Sequence, residues 1–285
     1  MPMRLTEKPS SSYSGAMTPA SIEHKAERVA VTKASTDLLS AFVLAVMAGV
    51  FVSMGATFML VVKSDATLPF AATQLLGGFS FTLGLFLILS AGAELFTGNC
   101  LMVMGVLAGR LSWGRLLKSW GVVILGNLAG SLLAGALMVA ADVGSGNGGA
   151  IAQAAITVAE GKVALAWPTA FARGIFCNLL VCLAVWIGHA ATSVTDKFFS
   201  ALLPVMAFMG SGFEHCVANM FFLPYSLMLQ ATGVAGSVDV AGVLHNLSAA
   251  TLGNIVGGAV FVGAAYWFVY ARGRKASEGE KGSLQ

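Results

Sequence analysis

Long apolar runs separated by short polar segments fill the chain between residues 38 and 270. A helix needs ~20 mostly apolar residues to cross the core of a bilayer. Four runs reach that length: 38–62, 120–141, 168–188 and 247–270. Two more crossings fall at 68–107, which is too long for one helix, and in the run after Asp196 and Lys197. The pattern therefore predicts six membrane spans.

The second and fifth predicted spans contain ionisable and flexible residues. Glu94 lies in span 2, and Glu214 and His215 lie in span 5, close to Gly92 and Gly212. Hydrocarbon cannot solvate such side chains, so they indicate a functional site by default. Glycine at these points favours an interruption of the helix. We therefore predict that spans 2 and 5 each consist of two half-helices joined by an unwound turn.

The two interrupted segments resemble each other. Aligning residues 211–219 with 91–99 brings Gly, Glu and Asn to matching positions, and the elements around Asn127 and Asn254 repeat in the same way. Three spans in each half force the halves to face opposite ways, which predicts an inverted 3+3 repeat. Interrupted helices at matching places in two halves point to a transporter or channel site near the membrane midplane.

Composition agrees with a membrane protein and excludes a soluble domain. Hydrophobic residues make up 57% of the chain, charged residues 10%, and the mean hydropathy is +0.82. The fold class is therefore an all-α, multi-pass membrane protein. No feature of the sequence predicts a nucleic-acid partner or a cofactor.

The basic residues predict the orientation. Of the 16 Lys and Arg residues, 13 lie in the N-terminal tail, in the loop around 110–118, at Lys197 and in the C-terminal tail. Such residues collect on the cytoplasmic side, so we expect both termini there, in a cell (inner) membrane. Arg173, about one turn inside span 4, is expected to extend to the nearer membrane surface.

The predicted domains are a cytoplasmic tail at 1–36, a channel domain at 37–271 and a second cytoplasmic tail at 272–285. The first tail begins without periodicity and continues, from Thr18 to Lys33, as an amphipathic helix at the membrane surface. We expect Ile22 and Ala26 on its apolar face and Glu23 on the opposite, polar face. Residues 142–167 are rich in Gly, Ala and Ser and predict a loop between the halves.

The four cysteines predict neither disulfides nor a metal site. All of them lie in apolar segments without paired spacing: Cys100, Cys177, Cys182 and Cys216. They are expected to be small residues of the membrane core. The first apolar run is too long and too far from the start to predict a cleaved secretory signal.

Three motifs, in order, give the chain a family resemblance: AELFTG at 93–98, CNLLVCLAVW at 177–186 and GFEH at 212–215. Together they make residues 33–270 resemble the formate/nitrite transporter family, and the overall sequence is most similar to the formate channels of that family. The resemblance implies an aquaporin-like helical bundle, a homopentamer and one anion pathway in each protomer. Formate is then the expected substrate, with nitrite, hydrosulfide or lactate as alternatives, and the protein is not an enzyme.

The resemblance also implies roles for individual residues. Thr97 and His215 match the polar residues at the centre of the pathway, and Lys162 matches a lysine of the outer vestibule. Residues that match apolar constrictions or pore-region asparagines are Phe81, Leu85, Phe96, Phe208, Asn178 and Asn254.

Physical chemistry supports a central histidine. An anion that crosses apolar constrictions loses its hydration, which is costly enough that a neutral form is preferred. Histidine exchanges protons near neutral pH, so His215 could lend a proton while Thr97 offers a hydroxyl. Glu94 and Glu214 would repel an anion, so we expect them to accept backbone N–H bonds at the unwound turns, with Asn99 and Asn219 also structural.

Simpler interpretations and other classes stay open. Each apolar residue could simply pack, and Lys162 could be a solvated loop residue. A neutral-solute channel of the aquaporin type also has an inverted repeat, but Asn99 and Asn219 are followed by Cys100 and Met220 instead of the Pro of its signature. A membrane enzyme or metal protein has one indication, the neighbouring pair His215 and Cys216.

Overall fold

The structure is a computed structural model that describes residues 17–271, and the regular elements in this range are all helical. Residues 1–16 of the predicted N-terminal tail and the whole predicted C-terminal tail, 272–285, lie outside the described residues. We number the helices in chain order: α1 Pro19–Ser35, α2 Leu38–Lys63, α3 Phe70–Ala91, α4 Phe96–Leu107, α5 Trp113–Ala140, α6 Ala150–Val163, α7 Trp167–Ala190, α8 Val194–Gly210, α9 Cys216–Ala231 and α10 Val240–Ala271. Within α4 the geometry is 3-10 at Cys100–Met102, and within α10 it is π-helical at Val256–Ala264.

Five of these helices are long and apolar enough to cross a membrane: α2, α3, α5, α7 and α10. The shorter helices α4 and α9 are also apolar. The chain is therefore an all-helical, multi-pass membrane protein, as its apolar runs predict.

The chain leaves helical geometry at two places that the sequence singled out. Helix α3 ends at Ala91, and Gly92 adopts a positive φ of 78° before α4 starts at Phe96. Helix α8 ends at Gly210, and Gly212 adopts a φ of 68° before α9 starts at Cys216. A side chain on either glycine would be strained in this left-handed conformation.

Glycines also let neighbouring helices approach until their backbones touch. A Cβ on Gly130 of α5 would collide with the carbonyl oxygen of Val46 in α2. A Cβ on Gly257 of α10 would meet the carbonyl oxygen of Ile175 in α7 in the same way. Small residues at helix contacts are typical of membrane bundles, where van der Waals packing drives association.

The prediction of a loop at 142–167 is wrong over most of its length, because α6 occupies Ala150–Val163. Its buried residues repeat with helical spacing: Ile151, Ala152, Ala155, Ile156 and Ala159. This face packs on α9, where the Ser226 hydroxyl donates to the carbonyl oxygen of Ala155 at 3.0 Å. Alanine strongly favours helix, and its abundance here outweighs the glycines.

Helix α5 also starts earlier than predicted. It begins at Trp113, where the Ser112 side chain accepts a hydrogen bond from the backbone N–H of Arg115. Arg115 and Lys118 are therefore in the first turns of a helix, although the sequence placed them in a loop.

Helix α1 forms as its pattern predicts, with Thr18 as N-cap, but its polar side was assigned wrongly. Glu23 and Glu27 are buried together with Ile22 and Ala26. The reason is packing on protein: Ile22 and Ala26 share an apolar cluster with Met104 and Trp186. Arg110 provides a charge partner, since its Nε lies 3.2 Å from Glu27 Oε2.

Candidate functional site

Thr97 and His215 meet at the centre of the molecule. Thr97 Oγ1 lies 3.0 Å from His215 Nε2, and both side chains are buried. His215 is also the N-cap of α9, because the backbone N–H of Ala218 donates to its Nδ1 at 3.0 Å. Since Nδ1 is an acceptor, the proton of the neutral ring is on Nε2 and is donated to Thr97 Oγ1.

Apolar rings enclose this pair on one side. The Phe208 ring stacks on the His215 ring, with centroids 5.8 Å apart and an interplanar angle of 15°. Phe81 contacts Phe208 edge to face at 6.0 Å. These three residues line a central cavity of about 10 Å³, together with Leu85, Ile88 and Leu95. Such a volume is close to the smallest that holds one water molecule.

Phe96 does not reach this cavity, although the family resemblance implied a constriction there. Its ring packs edge to face on Trp120, with centroids 5.9 Å apart. The preceding residue, Leu95, lines the central cavity instead. The sequence contains both apolar residues side by side, and only the backbone direction at 92–95 decides which one faces the cavity.

Asparagines of neighbouring helices hold the two non-helical segments. Asn127 Oδ1 accepts from the backbone N–H of Phe96 at 2.9 Å, and its Nδ2 donates to the carbonyl oxygen of Glu94 at 2.9 Å. Asn254 makes the matching bonds in the other half, to Cys216 N at 2.9 Å and to the carbonyl oxygen of Glu214 at 2.8 Å. One backbone N–H and one carbonyl oxygen at each interruption are thereby satisfied.

Asn178 connects the two halves. Its Nδ2 donates to the carbonyl oxygen of Thr97 at 3.1 Å and to that of Asn254 at 2.7 Å. Asn178 and Asn254 are fully buried. They orient the segments that carry Thr97 and His215, which is a positioning role.

Glu94 and Glu214 bond side chains, so the expectation that they accept backbone N–H groups is wrong. Glu94 Oε2 lies 2.8 Å from Lys33 Nζ and accepts from Asn99 Nδ2 at 2.7 Å. Asn127 already satisfies the backbone there. The charge of the Glu94 carboxylate is therefore neutralised by Lys33.

The same arrangement recurs at the second interruption. Glu214 Oε1 lies 3.0 Å from Lys162 Nζ, and Glu214 Oε2 accepts from Asn219 Nδ2 at 2.7 Å and from Asn246 Nδ2 at 3.0 Å. Lys162 thus pairs with Glu214 and lines a cavity, while its role as a lysine of the outer vestibule stays a prediction. Lys33 was missed, because aligning Gly212 with Gly92 and extending toward the N-terminus matches Lys33 with Gln153 and not with Lys162.

Two larger cavities flank the centre. The first, of 310 Å³, is lined by Lys33, Glu94, His189 and Lys197 and shares Leu95 with the central cavity. We call it the Lys33 vestibule. Its charged residues all come from the ends of helices or from the interrupted segment of the first half.

The second cavity, of 620 Å³, is lined by Lys63, Lys162, Arg173 and Glu214. We call it the Lys162 vestibule. Arg173 borders this cavity, with Nη1 3.4 Å from the carbonyl oxygen of Gly212.

Within residues 17–271, no three His, Cys, Asp or Glu side chains converge in a way that could hold a metal ion. The four cysteines are buried and free. His215 and Cys216 therefore have no further ligand beside them in the described part of the chain.

Comparisons with known proteins agree with this architecture. A family model described as formate/nitrite transporter matches residues 20–268. The formate channel FocA of Escherichia coli (strain K12) is 37% identical over 269 residues, which cover 89% of this chain and 94% of FocA. The formate channel FocB of the same strain is 36% identical over 261 residues, which cover 87% of this chain and 93% of FocB.

Solved structures show the same fold. A pentameric formate channel with formate bound has a TM-score of 0.74 and 38% identity, and the match covers 82% of this chain and 98% of that one. An ion channel of the FNT family has a TM-score of 0.78 and 32% identity, with 87% and 98% covered. The chain belongs to the formate/nitrite transporter family.

Proposed function

We propose that this protein carries formate and similar small monovalent anions across the cell inner membrane, through a separate pathway in each subunit of a homopentamer. One observation carries the proposal: the polar pair Thr97 and His215 lies beside an apolar central cavity with a cationic vestibule on either side. The relatives named formate channels and the pentameric, formate-bound structure support the substrate and the assembly. Nitrite, of similar size and charge, is the alternative substrate of the same pathway.

The vestibules attract the anion before it loses water. Lys33 and Lys162 lie on opposite sides of the centre, each paired with a carboxylate that keeps it in place. Between them, the central cavity of about 10 Å³ leaves no room for a hydration shell. Transfer of a bare charge into such surroundings is costly, so passage favours an anion that becomes neutral or gains strong hydrogen bonds.

Thr97 and His215 provide those bonds. The Nε2–H of the neutral ring is donated to Thr97 Oγ1, so the threonine hydroxyl proton is available to a carboxylate oxygen in the cavity. Donation of a proton from His215 to the anion requires the imidazolium form of the ring, with protons on both nitrogens. That form breaks the bond from the Ala218 N–H to Nδ1, because both groups would then be donors. Proton exchange is therefore linked to release of the α9 N-cap.

The proposed topology is an inverted repeat with both termini cytoplasmic. Helices α3 and α4 together form one interrupted crossing, and α8 and α9 form the other. The matching bonds of Asn127 and Asn254 and the positive φ angles of Gly92 and Gly212 support the repeat. The outward apolar side chains of the bundle, such as Phe79 and Leu137, are available to lipid or to neighbouring subunits.

Purified protein in liposomes tests the function. We expect formate uptake, measured by liposome swelling or with labelled formate, to exceed that of protein-free liposomes many-fold. Chloride, which cannot accept a proton, should enter more slowly. Formate uptake equal to the protein-free control, in preparations that remain folded, contradicts the proposal.

A further inference from the structure

Three cations of the Lys162 vestibule converge on one short segment, residues 210–214. Lys162 Nζ bonds Glu214 Oε1 at 3.0 Å, and Arg173 Nη1 lies 3.4 Å from the carbonyl oxygen of Gly212. Lys63 Nζ donates to Gln74 Oε1 at 2.8 Å, and Gln74 Nε2 donates to the carbonyl oxygen of Gly210 at 3.0 Å. This segment leads directly into His215, so the cations border the route to the central pair.

Two of these cations have no acidic partner among residues 17–271. The hydrogen bonds of Lys63 and Arg173 within this range are to neutral oxygens, from a glutamine amide and a backbone carbonyl. Both side chains are half-buried and line the same cavity. A guanidinium has five N–H donors, and only this one long bond engages any of them here. Their charge and their donors are therefore available to an occupant of the cavity.

The two vestibules differ in charge. The Lys162 vestibule contains three cations and one carboxylate, a net charge of about +2. The Lys33 vestibule contains Lys33, Lys197 and Glu94, a net charge of about +1 with His189 neutral. A monovalent anion balances the charge of the Lys33 vestibule but leaves the Lys162 vestibule with an excess positive charge. Low-dielectric walls strengthen that excess field.

We infer that the Lys162 vestibule is a binding site for small divalent anions, with a dicarboxylate as the fitting chemical class. One carboxylate bonds Arg173, which presents its donors in a fork suited to carboxylate. The other lies near Lys63 and Lys162. The cavity volume of 620 Å³ is in the range of small-molecule sites.

The bound divalent anion closes the pathway from this side. It occupies the space in front of residues 210–214 and neutralises the charge that attracts monovalent anions. Its own passage through the apolar centre is prevented by the greater cost of removing water from two charges. The blocking effect rests on the proposed function, while the binding itself does not.

Calorimetry with oxalate tests the binding on full-length protein in detergent. We expect oxalate to bind, and to bind at least tenfold more tightly than acetate at equal ionic strength. Arg173→Gln and Lys63→Gln should each weaken the oxalate affinity about tenfold, the loss expected for one charge-assisted bond. Lys118→Gln, which removes an exposed cation far from this cavity, should leave it unchanged. The inference is overturned if the wild type and the three variants bind oxalate with equal affinity, or if the wild type binds oxalate and acetate with equal affinity.

Two further measurements distinguish a misfolded variant from a wrong inference about binding, and a wrong inference about the block from a wrong proposed function. Thermal unfolding of each variant identifies misfolding, and the two substitutions lie on different helices, so one folded variant suffices for the comparison. In liposomes, oxalate should inhibit formate uptake, with half-inhibition shifted about tenfold upward in Arg173→Gln. Absence of formate uptake contradicts the proposed function, whereas formate uptake that oxalate does not inhibit contradicts only the block.

Discussion

Thr97 Oγ1 and His215 Nε2 lie 3.0 Å apart, although 118 positions of sequence separate the two residues. Each belongs to a helix that starts after an interruption, Thr97 in the first turn of α4 and His215 at the N-cap of α9. The starts of two helices therefore face each other at the centre of the bundle. Unpaired N–H groups at helix starts favour negative charge, so this meeting point suits an anion.

Replacement of His215 by Asn tests the proton exchange. Asparagine can accept from the N–H of Ala218, so the N-cap and a polar side chain at this position are retained while the titratable group is lost. We expect formate uptake to fall and to lose its dependence on a proton gradient, as measured in liposomes with and without an imposed pH difference.

Thr97→Val is the matched variant for that experiment. It removes the hydroxyl and leaves the histidine, so uptake should fall while its response to the proton gradient persists. If His215→Asn retains the wild-type response to pH, His215 has a structural role only.

Leu95→Ala and Phe96→Ala separate the two neighbouring apolar residues. Leu95 lines the central cavity, so its truncation should widen the path and let acetate enter with formate. Phe96 packs on Trp120, so its truncation should instead destabilise the fold by ~3 kcal/mol with little change in selectivity. Uptake ratios of acetate to formate, together with thermal unfolding, distinguish the two effects. A selectivity change in Phe96→Ala alone would contradict the assignment.

The two departures from helical geometry after Ala91 and Gly210 have local causes in the sequence. Gly92 and Gly212 supply the positive φ, and the ionisable residues that follow them have no place in a lipid-facing helix. The same local signals predicted α1, since its N-cap and its Pro at the first helical position lie together in the chain.

Contacts between residues that are far apart in the sequence could not be predicted from such local signals. The N–H of Phe96 finds its acceptor 31 positions later, in Asn127, and this bond frees Glu94 to pair with Lys33. The amphipathic pattern placed Glu23 in solvent because it contains no information on the protein surface that covers α1. Helix α6, in contrast, was missed although its signal is local, because the glycines and serines around it were given more weight than the alanines that favour helix.

Asn254→Ala should destabilise the protein strongly. It leaves the N–H of Cys216 and the carbonyl oxygen of Glu214 without their partner in a fully buried place. Each buried unsatisfied group costs ~1–3 kcal/mol. Asn127→Ala should have an effect of similar size, because it makes the matching bonds. Thermal unfolding in detergent measures both.

Asn147→Gly is the control for this pair. Asn147 is exposed and donates to the carbonyl oxygen of Ser64, where water can replace it. Its φ is 53°, which glycine adopts without strain, so we expect an effect within ~0.5 kcal/mol. Destabilisation of Asn254→Ala no larger than that of Asn147→Gly would show that the asparagines do not hold the interruptions.

The proposed orientation can be tested by cysteine labelling in intact cells. The native cysteines are buried, which keeps the background low. A cysteine at the exposed position Ser145 should react with an impermeant reagent from outside. A cysteine at Ser277, beyond the described residues, should react only after the cells are permeabilised. The reverse result would invert the topology.

Lys162→Gln should impair transport in a way that depends on Glu214. The wild-type pair is tight, with 3.0 Å between Nζ and Oε1 and Glu214 almost wholly buried. Loss of the lysine leaves a negative charge without its counterion beside the pathway, which costs ~3 kcal/mol of stability and repels the approaching anion. We expect lower formate uptake and a lower unfolding temperature.

The double variant Lys162→Gln and Glu214→Gln separates the two contributions. It removes both charges, and the glutamine at 214 can still accept from Asn219 and Asn246 through its amide oxygen. Stability should recover most of its loss, while uptake at low formate concentration stays below wild type because the attracting cation is gone. Full recovery of uptake in the double variant would mean that Lys162 serves only to neutralise Glu214, and that the anion is drawn in by other residues of the vestibule.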